Sequence, residues 1–124
     1  LFDPEMLMDY CRHGLLPNEK GKGYVLACPP HIEASVYMSS RSNHDIYDAV
    51  RSLSLPVLIL RAKEPAMDRN VMDFSSSPTW PKLVSEFRNG REIHFPDKTH
   101  FLPMEIPEEV TNIIAQEITS AQKA

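Results

Sequence analysis

The feature that most constrains the fold of this 124-residue chain is the unbroken apolar run VLIL at positions 57–60. A strand that is apolar at every position is buried on both faces, which is typical of a parallel strand covered by helices. A helical pattern follows at residues 81–88, then a second strand, REIHF, at 91–95, and a last helical pattern at 107–120. This order predicts an α/β fold with a parallel sheet. Two strands do not make a stable sheet alone, so we expect further strands from other polypeptide.

The N-terminal part of the chain predicts helices. Asp3 supplies an N-cap acceptor, Pro4 suits the first helical position, and Glu5 lies near the positive end of the helix dipole. Apolar residues at helical spacing continue this helix up to Gly14, a residue suited to end it. A polar turn is predicted at 17–23, and further helices are predicted at 32–38 and at about 44–53.

Composition excludes several common kinds of site. The chain has only four glycines, of which just Gly21 and Gly23 lie close together. The chain therefore contains no dinucleotide-binding G-x-G-x-x-G, no phosphate-binding G-x-x-x-x-G-K-[ST] and no nucleophile elbow G-x-S-x-G. Any reaction that needs such a loop must draw on other polypeptide.

Charge, hydropathy and cysteine usage indicate partners and compartment. Lys and Arg total 13 and Asp and Glu total 17, and this net charge of −4 argues against nucleic-acid binding. No apolar run reaches the roughly 18 residues that span a membrane. The first ten residues, LFDPEMLMDY, are acidic and unlike a signal peptide, so we expect a piece of a longer chain. Cys11 and Cys28 lack C-x-x-C spacing, which predicts buried or half-buried free thiols in the cytoplasm.

Chemically useful side chains follow both predicted strands. Glu64, Asp68 and Asp73 lie in the loop after the first strand, and His100 lies in the loop after the second. Open α/β sheets bind ligands beyond the carboxyl ends of their strands, so both loops belong at that edge. A carboxylate that accepts an imidazole N–H fixes the tautomer and stabilises the imidazolium, while the other ring nitrogen takes a proton. The pattern predicts a histidine general base paired with an acid.

Two stretches resemble a known family. PDKTHFLPMEIPEEVTNII at 96–114 looks like the last strand-to-helix connection of the α/β-hydrolase superfamily, and PVLILRAKEP at 56–65 resembles the strand that ends at its triad acid. The order of acid and then histidine also matches the superfamily order Ser…Asp/Glu…His. The resemblance covers residues 56–122. It implies that residues 45–124 form the C-terminal part of the hydrolase core, preceded by a lid or cap of helices at 1–44.

The resemblance implies a role for each matching residue. His100 takes the general-base position, and Glu64, which follows the strand and precedes a proline, is the nearest match to the acid. The family usually has a glycine soon after the strand and an aspartate slightly later, so Asp68 and Asp73 stay open as alternative acids. Phe101 and Met104, near the histidine, are predicted to line the substrate pocket. The resemblance implies neither a metal nor another cofactor.

The nucleophile of the family lies upstream of the matched stretch. The serines at 75–77 lie in a loop after the acid strand, which is the wrong place for that nucleophile. The resemblance thus implies a hydrolase of small-molecule esters, thioesters or amides that is active only with the upstream half of the same hydrolase or with a second chain. An aspartate nucleophile, as in epoxide hydrolases and haloalkane dehalogenases, and C–C bond hydrolysis fit the same residues. A further alternative is a non-catalytic fragment or interaction module held through an exposed sheet edge.

Overall fold

A computed structural model of the chain describes residues 1–39, 45–66, 73 and 75–122. The chain divides into two compact units, one formed by Pro4–Ile46 and the other by Leu1–Asp3 together with Tyr47–Ala124. The elements, in chain order, are α1 (Pro4–His13), β1 (Leu15–Pro17), β2 (Tyr24–Leu26), α2 (Pro30–Ser39), α3 (Ile46–Ser52), β3 (Val57–Ala62), a 3₁₀ helix (Leu83–Glu86), β4 (Gly90–Phe95), α4 (Leu102–Glu105) and α5 (Pro107–Ala121). The fold is of mixed α/β class.

The unit Pro4–Ile46 contains α1, α2 and a β-hairpin. α1 starts at Pro4 and ends at His13, as its capping residues predict. The hairpin was not predicted: β1 and β2 pair antiparallel, with Leu15 opposite Leu26. Strands of three residues are too short to show a strand period, which explains the omission. The polar turn between them is present, and Gly23 adopts a left-handed φ of +93° that favours glycine.

The two other predicted helices of the first half are present with shifted ends. α2 covers Pro30–Ser39 and α3 covers Ile46–Ser52, while residue 44, where α3 was expected to begin, lies outside the described residues. α3 buries none of its residues. Its Arg51 instead donates from Nε to the carboxylate of Glu86 at 2.6 Å, so an ion pair joins α3 to the 3₁₀ helix.

The predicted parallel pair is confirmed. β3 and β4 pair in parallel, from Val57 opposite Gly90 to Ala62 opposite Phe95. Because parallel strands end at the same edge, the loops that follow β3 and β4 start side by side. These are the loops that carry the candidate acids and His100.

The helix predicted at 81–88 is wrong, since the structure has only the 3₁₀ helix Leu83–Glu86 in its place. Phe87 is already extended, with φ −93° and ψ 136°. A Cβ added at Gly90 would lie 2.5 Å from the carbonyl oxygen of Val84, so this turn packs directly on the start of β4. The chain therefore enters the strand before a full α-helix can form.

The apolar core of the described residues is small. Its buried apolar members are Ala62 of β3, Leu102 of α4 and Val110 of α5. Half-buried side chains that pack against them are Leu60, Phe95 and Ile106. α5 follows its predicted bounds of 107–120 within one residue, and it brings Val110 onto the strand pair. α4, a single turn, was not predicted.

Much apolar surface is exposed. Burial on both faces of β3 was expected, but positions 57–60 are only half-buried. Cys11 and Cys28 are exposed free thiols, so the expectation of buried or half-buried cysteines is wrong. In its described residues, the unit that contains β3 has only a two-stranded sheet and one long helix to bury side chains, which is the physical reason that β3 is only half-buried. In the described part of the chain, no helix is long and apolar enough to cross a membrane.

Candidate functional site

His100 lies in the turn between β4 and α4. Its ring packs on the ring of Phe101, with the two centroids 4.0 Å apart, and its Nδ1 atom is buried. Among the residues that the structure describes, none gives Nδ1 a hydrogen bond. A buried polar atom without a partner costs about 1–3 kcal/mol, so the position of Nδ1 indicates where a further polar group belongs.

The main chain at His100 is held by the loop that follows β3. The His100 N–H donates to the carbonyl oxygen of Ser75 at 2.9 Å. The Ser77 N–H donates to the carbonyl oxygen of Lys63 at 2.8 Å, and the Lys63 N–H donates to the carbonyl oxygen of Lys98 at 3.0 Å. The first and third of these bonds join the two loops beyond the strand ends, and the second holds the loop after β3 together.

Asp73 organises the loop around Ser75. Its Oδ1 accepts hydrogen bonds from the Ser75 N–H at 2.9 Å and from the Ser75 hydroxyl at 2.5 Å. Its Oδ2 lies 3.3 Å from Nζ of Lys63, and its carbonyl oxygen accepts the Ser76 hydroxyl at 2.9 Å. The hydrogen bonds from Ser75, helped by Lys63, hold the pKa of Asp73 below its ordinary range. Asp73 is thus linked to His100 through Ser75.

Glu64 lies in a different cluster, with Arg61 and Glu92. Arg61 is 6% exposed and donates from Nε and Nη2 to the two carboxylate oxygens of Glu92, each at 3.0 Å. Its Nη1 donates to Oε1 of Glu64 at 3.2 Å. Hydrogen bonding between Arg61 and Glu92 raises the pKa of Arg61 and lowers the pKa of Glu92. Glu64 is the outer member, with 56% of its side chain exposed.

The three candidate acids therefore have different surroundings. Asp73 bonds Ser75, whose carbonyl oxygen accepts the His100 N–H, whereas Glu64 accepts a hydrogen bond from Arg61. Asp68 lies outside the described residues. Within the described part of the chain, neither Glu64 nor Asp73 makes a hydrogen bond to Nδ1 of His100. The choice of acid stays a prediction.

Sequence reasoning missed Arg61, Glu92 and Ser75. A signal for the first two was available, because a charge at the end of an apolar strand is costly to bury without an opposite charge nearby. Finding the partner requires the register of β3 against β4, which spacing along the chain does not provide. Ser75 offered no signal, since its carbonyl oxygen, a main-chain group, makes the contact with His100.

The predicted pocket residues lie on the turn after His100. Phe101 is 40% exposed and contacts the ring of Phe2, with centroids 5.5 Å apart, as well as the ring of His100. The Met104 carbonyl oxygen accepts the Asp3 N–H at 2.7 Å. The segment Leu1–Asp3 thus packs on the same turn as the candidate base. A role for Phe101 and Met104 in substrate binding stays a prediction.

Glu105 shapes the turn that carries His100. Its Oε1 accepts the Thr99 N–H at 3.3 Å and also the Thr99 hydroxyl. The same hydroxyl oxygen accepts the Phe101 N–H at 3.3 Å. These bonds fix the main chain immediately before and after His100.

In the stretches that the structure describes, no group of three or more His, Cys, Asp or Glu side chains could hold a metal ion.

Comparison with known proteins finds no relative of the chain. No family model matches it, and neither does any curated protein or solved structure.

Proposed function

We propose that the chain supplies the general-base histidine and the acid of a hydrolase that cleaves an ester, thioester or amide. The observation that carries the proposal is the position of His100, which follows β4 at the carboxyl edge of a parallel pair. That edge is where α/β sheets bind ligands. The buried Nδ1 of His100 and the resemblance of the two motifs to the α/β-hydrolase superfamily also support it.

In the proposed reaction a serine hydroxyl attacks the substrate carbonyl carbon, and His100 takes the hydroxyl proton. The buried Nδ1 is the nitrogen that the acid holds, which leaves Nε2 for proton transfer. His100 then gives the proton to the leaving group, and a second cycle with water as nucleophile releases the acid product. The acid keeps the imidazole tautomer fixed and stabilises the imidazolium that forms in each half-reaction.

Glu64 is the proposed acid, with Asp68 and Asp73 as alternatives. Nη1 of Arg61 donates to the exposed carboxylate of Glu64, and because an exposed ion pair contributes little free energy, this side chain can turn to a new partner at little cost. Both carboxylate oxygens of Asp73 are already engaged within its own loop. These contacts favour Glu64 over Asp73.

The nucleophile comes from other polypeptide, either an upstream half of the same hydrolase or a second chain. The small core of Ala62, Leu102 and Val110 supports this part of the proposal, because a two-stranded sheet is marginally stable by itself. Further strands would extend the pair into the mostly parallel sheet of an α/β hydrolase. Residues 45–124 are then the C-terminal part of that core, and residues 1–44 are its lid or cap of helices.

Phe101 and Met104 are the proposed lining for the acyl or alcohol part of a small-molecule substrate. The Phe101 ring is exposed and packs on the imidazole of His100. A carbonyl group within reach of that imidazole therefore also lies close to an apolar surface, which suits a substrate with an apolar substituent.

Two alternatives use the same part of the chain. An epoxide hydrolase, a dehalogenase or a C–C hydrolase would use the same histidine and acid, the first two with an aspartate nucleophile. A non-catalytic module would use neither, and the short parallel pair, with few strands to protect its edges, favours such a module when another chain pairs with it.

The test compares His100→Ala with His94→Ala in the hydrolase that contains this chain and its nucleophile. His94 lies exposed on β4, so its replacement is a matched control for the loss of an imidazole. We expect H100A to lower kcat on p-nitrophenyl esters by at least about 10³-fold, because loss of a triad histidine can cost about 10⁶-fold. H94A is expected to keep a kcat close to that of the unmodified protein. Hydrolysis by H100A at a similar rate would overturn the proposal.

A single turnover in H₂¹⁸O identifies the nucleophile. With a serine nucleophile the ¹⁸O appears in the released carboxylic acid. With an aspartate nucleophile it enters the enzyme carboxylate first. If no ester, thioester, amide, epoxide, haloalkane or C–C hydrolase substrate is turned over and no fluorophosphonate adduct forms, the non-catalytic module replaces the proposed function.

A further inference from the structure

We propose that Asp73 and Ser75 are positioning residues for His100, and that Asp73 is not the acid that contacts its ring. The inference rests on the function proposed above, since it concerns how the general base is held in place. The contacts that carry it run from Lys63 to Asp73, from Asp73 to Ser75, and from Ser75 to the main chain of His100.

The first step is the pair of hydrogen bonds that Asp73 accepts from Ser75. A carboxylate that accepts the N–H of a nearby residue restrains the main chain at that residue. The Ser75 hydroxyl donates to the same oxygen, so Oδ1 accepts two hydrogen bonds from one residue. An oxygen of an ionised carboxylate has about two acceptor sites, and those of Oδ1 are therefore both in use. Oδ2 faces the ammonium group of Lys63.

The second step is the carbonyl group of Ser75. Asp73 fixes this residue on one side, and the hydrogen bond from the Ser77 N–H to the Lys63 carbonyl oxygen fixes the chain on the other. The Ser75 carbonyl oxygen is thereby held where it accepts the His100 N–H at 2.9 Å. The position of the His100 main chain thus depends on the loop that Asp73 organises.

An asparagine at position 73 distinguishes positioning from direct contact. Asn keeps an oxygen that can accept both hydrogen bonds from Ser75, but it lacks the negative charge that stabilises an imidazolium. When a triad carboxylate becomes an amide, kcat falls by roughly 10⁴-fold. If Asp73 is a positioning residue, the Asn variant should keep most of the kcat that the Ala variant loses.

Amide hydrogen exchange in the complete protein that contains this chain tests the positioning without any need for activity. We expect Asp73→Ala to speed exchange of the His100 amide by about tenfold, and Asp73→Asn to bring it back close to the rate of the unmodified chain. Amides in β3 and β4 report whether the variants stay folded. The matched control is Asp97→Asn, which changes an exposed carboxylate on the turn after β4.

Kinetics in the complete hydrolase test the consequence for catalysis. We expect D73A to lower kcat by about 10- to 100-fold with little change in KM, because a small displacement of a catalytic group costs this much. D73N is expected to recover most of the loss. Ser75→Ala keeps the main-chain bonds and loses only the hydroxyl, so its kcat is expected to fall less than that of D73A.

Two outcomes overturn the inference. An unchanged exchange rate of the His100 amide in D73A means that Asp73 does not hold His100. If D73N has a kcat as low as that of D73A while its His100 amide stays protected from exchange, Asp73 is the carboxylate that contacts the His100 ring. Normal hydrolysis by H100A is a different failure, because it overturns the proposed function while the exchange experiment still decides whether Asp73 holds His100.

Discussion

Arg61 of β3 and Glu92 of β4 form a bidentate ion pair, with two guanidinium nitrogens each 3.0 Å from a carboxylate oxygen. In the register of the pair Glu92 lies opposite Ile59, two residues before Arg61, so both charged side chains lie on one face of the sheet. Ala62, which belongs to the apolar core, lies on the other face because neighbouring residues of a strand alternate. The strand pair therefore packs an apolar core on one face and an ion pair on the other.

Arg61→Met should destabilise the chain strongly. It leaves the carboxylate of Glu92, only 18% exposed, without its two donors, and breaking a buried pair in this way costs about 3–5 kcal/mol. The double variant R61M/E92M should recover most of that loss, because apolar residues of similar volume can replace both partners. The free energy of unfolding in urea measures both effects. As a control, R91M breaks the exposed pair Arg91–Glu117 and should cost less than about 1 kcal/mol. An R61M cost no larger than that of R91M would contradict the prediction.

Stability should decrease in acid because of Glu92. Its hydrogen bonds from Arg61 keep its pKa lower in the folded chain than the ordinary value of about 4.3 in the unfolded chain. A group of this kind stabilises the fold above the unfolded pKa, and the contribution is lost as pH falls through the folded pKa. The free energy of unfolding should therefore fall as pH decreases below about 4.3. In E92Q the fall should be shallower, and equal slopes for the two proteins would disprove the role of Glu92.

Gly90→Ala should destabilise the junction between the 3₁₀ helix and β4. The added Cβ would lie 2.5 Å from the carbonyl oxygen of Val84 and 3.0 Å from Cβ of Phe87, so the backbone must shift. Overpacking of this kind costs about 1–3 kcal/mol, measured by urea denaturation. Gly21→Ala is the control, because among the described residues its Cβ would approach just the Asn18 side chain, at an ordinary 3.4 Å. Equal stability of G90A and G21A would show that the turn does not press on β4.

Leu102→Ala should remove a large part of the small core. Leu102 is buried at the start of α4, directly after the turn that carries His100, and a buried Leu→Ala change costs about 2–5 kcal/mol. Ile118→Ala is the control on α5, where a side chain that is 56% exposed should contribute about 0.5 kcal/mol or less. Thermal or urea unfolding measures the difference. A similar loss for the two variants would contradict the assignment of the core.

Phe101→Ala should separate two roles of the aromatic ring in the proposed hydrolase. Without the Phe101 ring packed against it, the His100 imidazole loses its fixed orientation, and kcat should fall by about 10- to 100-fold. Loss of a pocket wall should raise KM for substrates with an apolar substituent. Trp80→Ala is the control, because this exposed ring packs on Tyr47. Unchanged kcat and KM for F101A would exclude both roles.

Much of the fold could be predicted from local patterns. The apolar run at 57–60 predicted β3, the segment REIHF at 91–95 predicted β4, and the helical pattern at 107–120 predicted α5. The hairpin of β1 and β2, the 3₁₀ helix and α4 were missed or mistaken for longer elements. Each is three or four residues long, so its conformation depends on contacts with the rest of the chain more than on its own period.

The candidate site could be predicted in part for the same reason. The position of His100 beyond β4 follows from its distance along the chain after a strand, and such a distance is a local property. Spacing could not tell that Glu64 bonds Arg61, or that Asp73 reaches the His100 turn through Ser75. Arg61 is oriented by Glu92 of the neighbouring strand, and the hydrogen bond from the His100 N–H to the Ser75 carbonyl oxygen joins two different loops.

The amino-acid sequence by itself thus determined the parallel α/β pair, the helix α5 and the location of His100 at the carboxyl edge, because apolar period and chain order encode them. Only the tertiary structure decided which groups each carboxylate meets. The register of β3 against β4 places Arg61 on Glu92, and contacts between the loops after these strands bring Ser75 to the main chain of His100. Both depend on how two strands that are far apart in the chain are packed together, because parallel strands are joined by a long crossover and not by a tight turn.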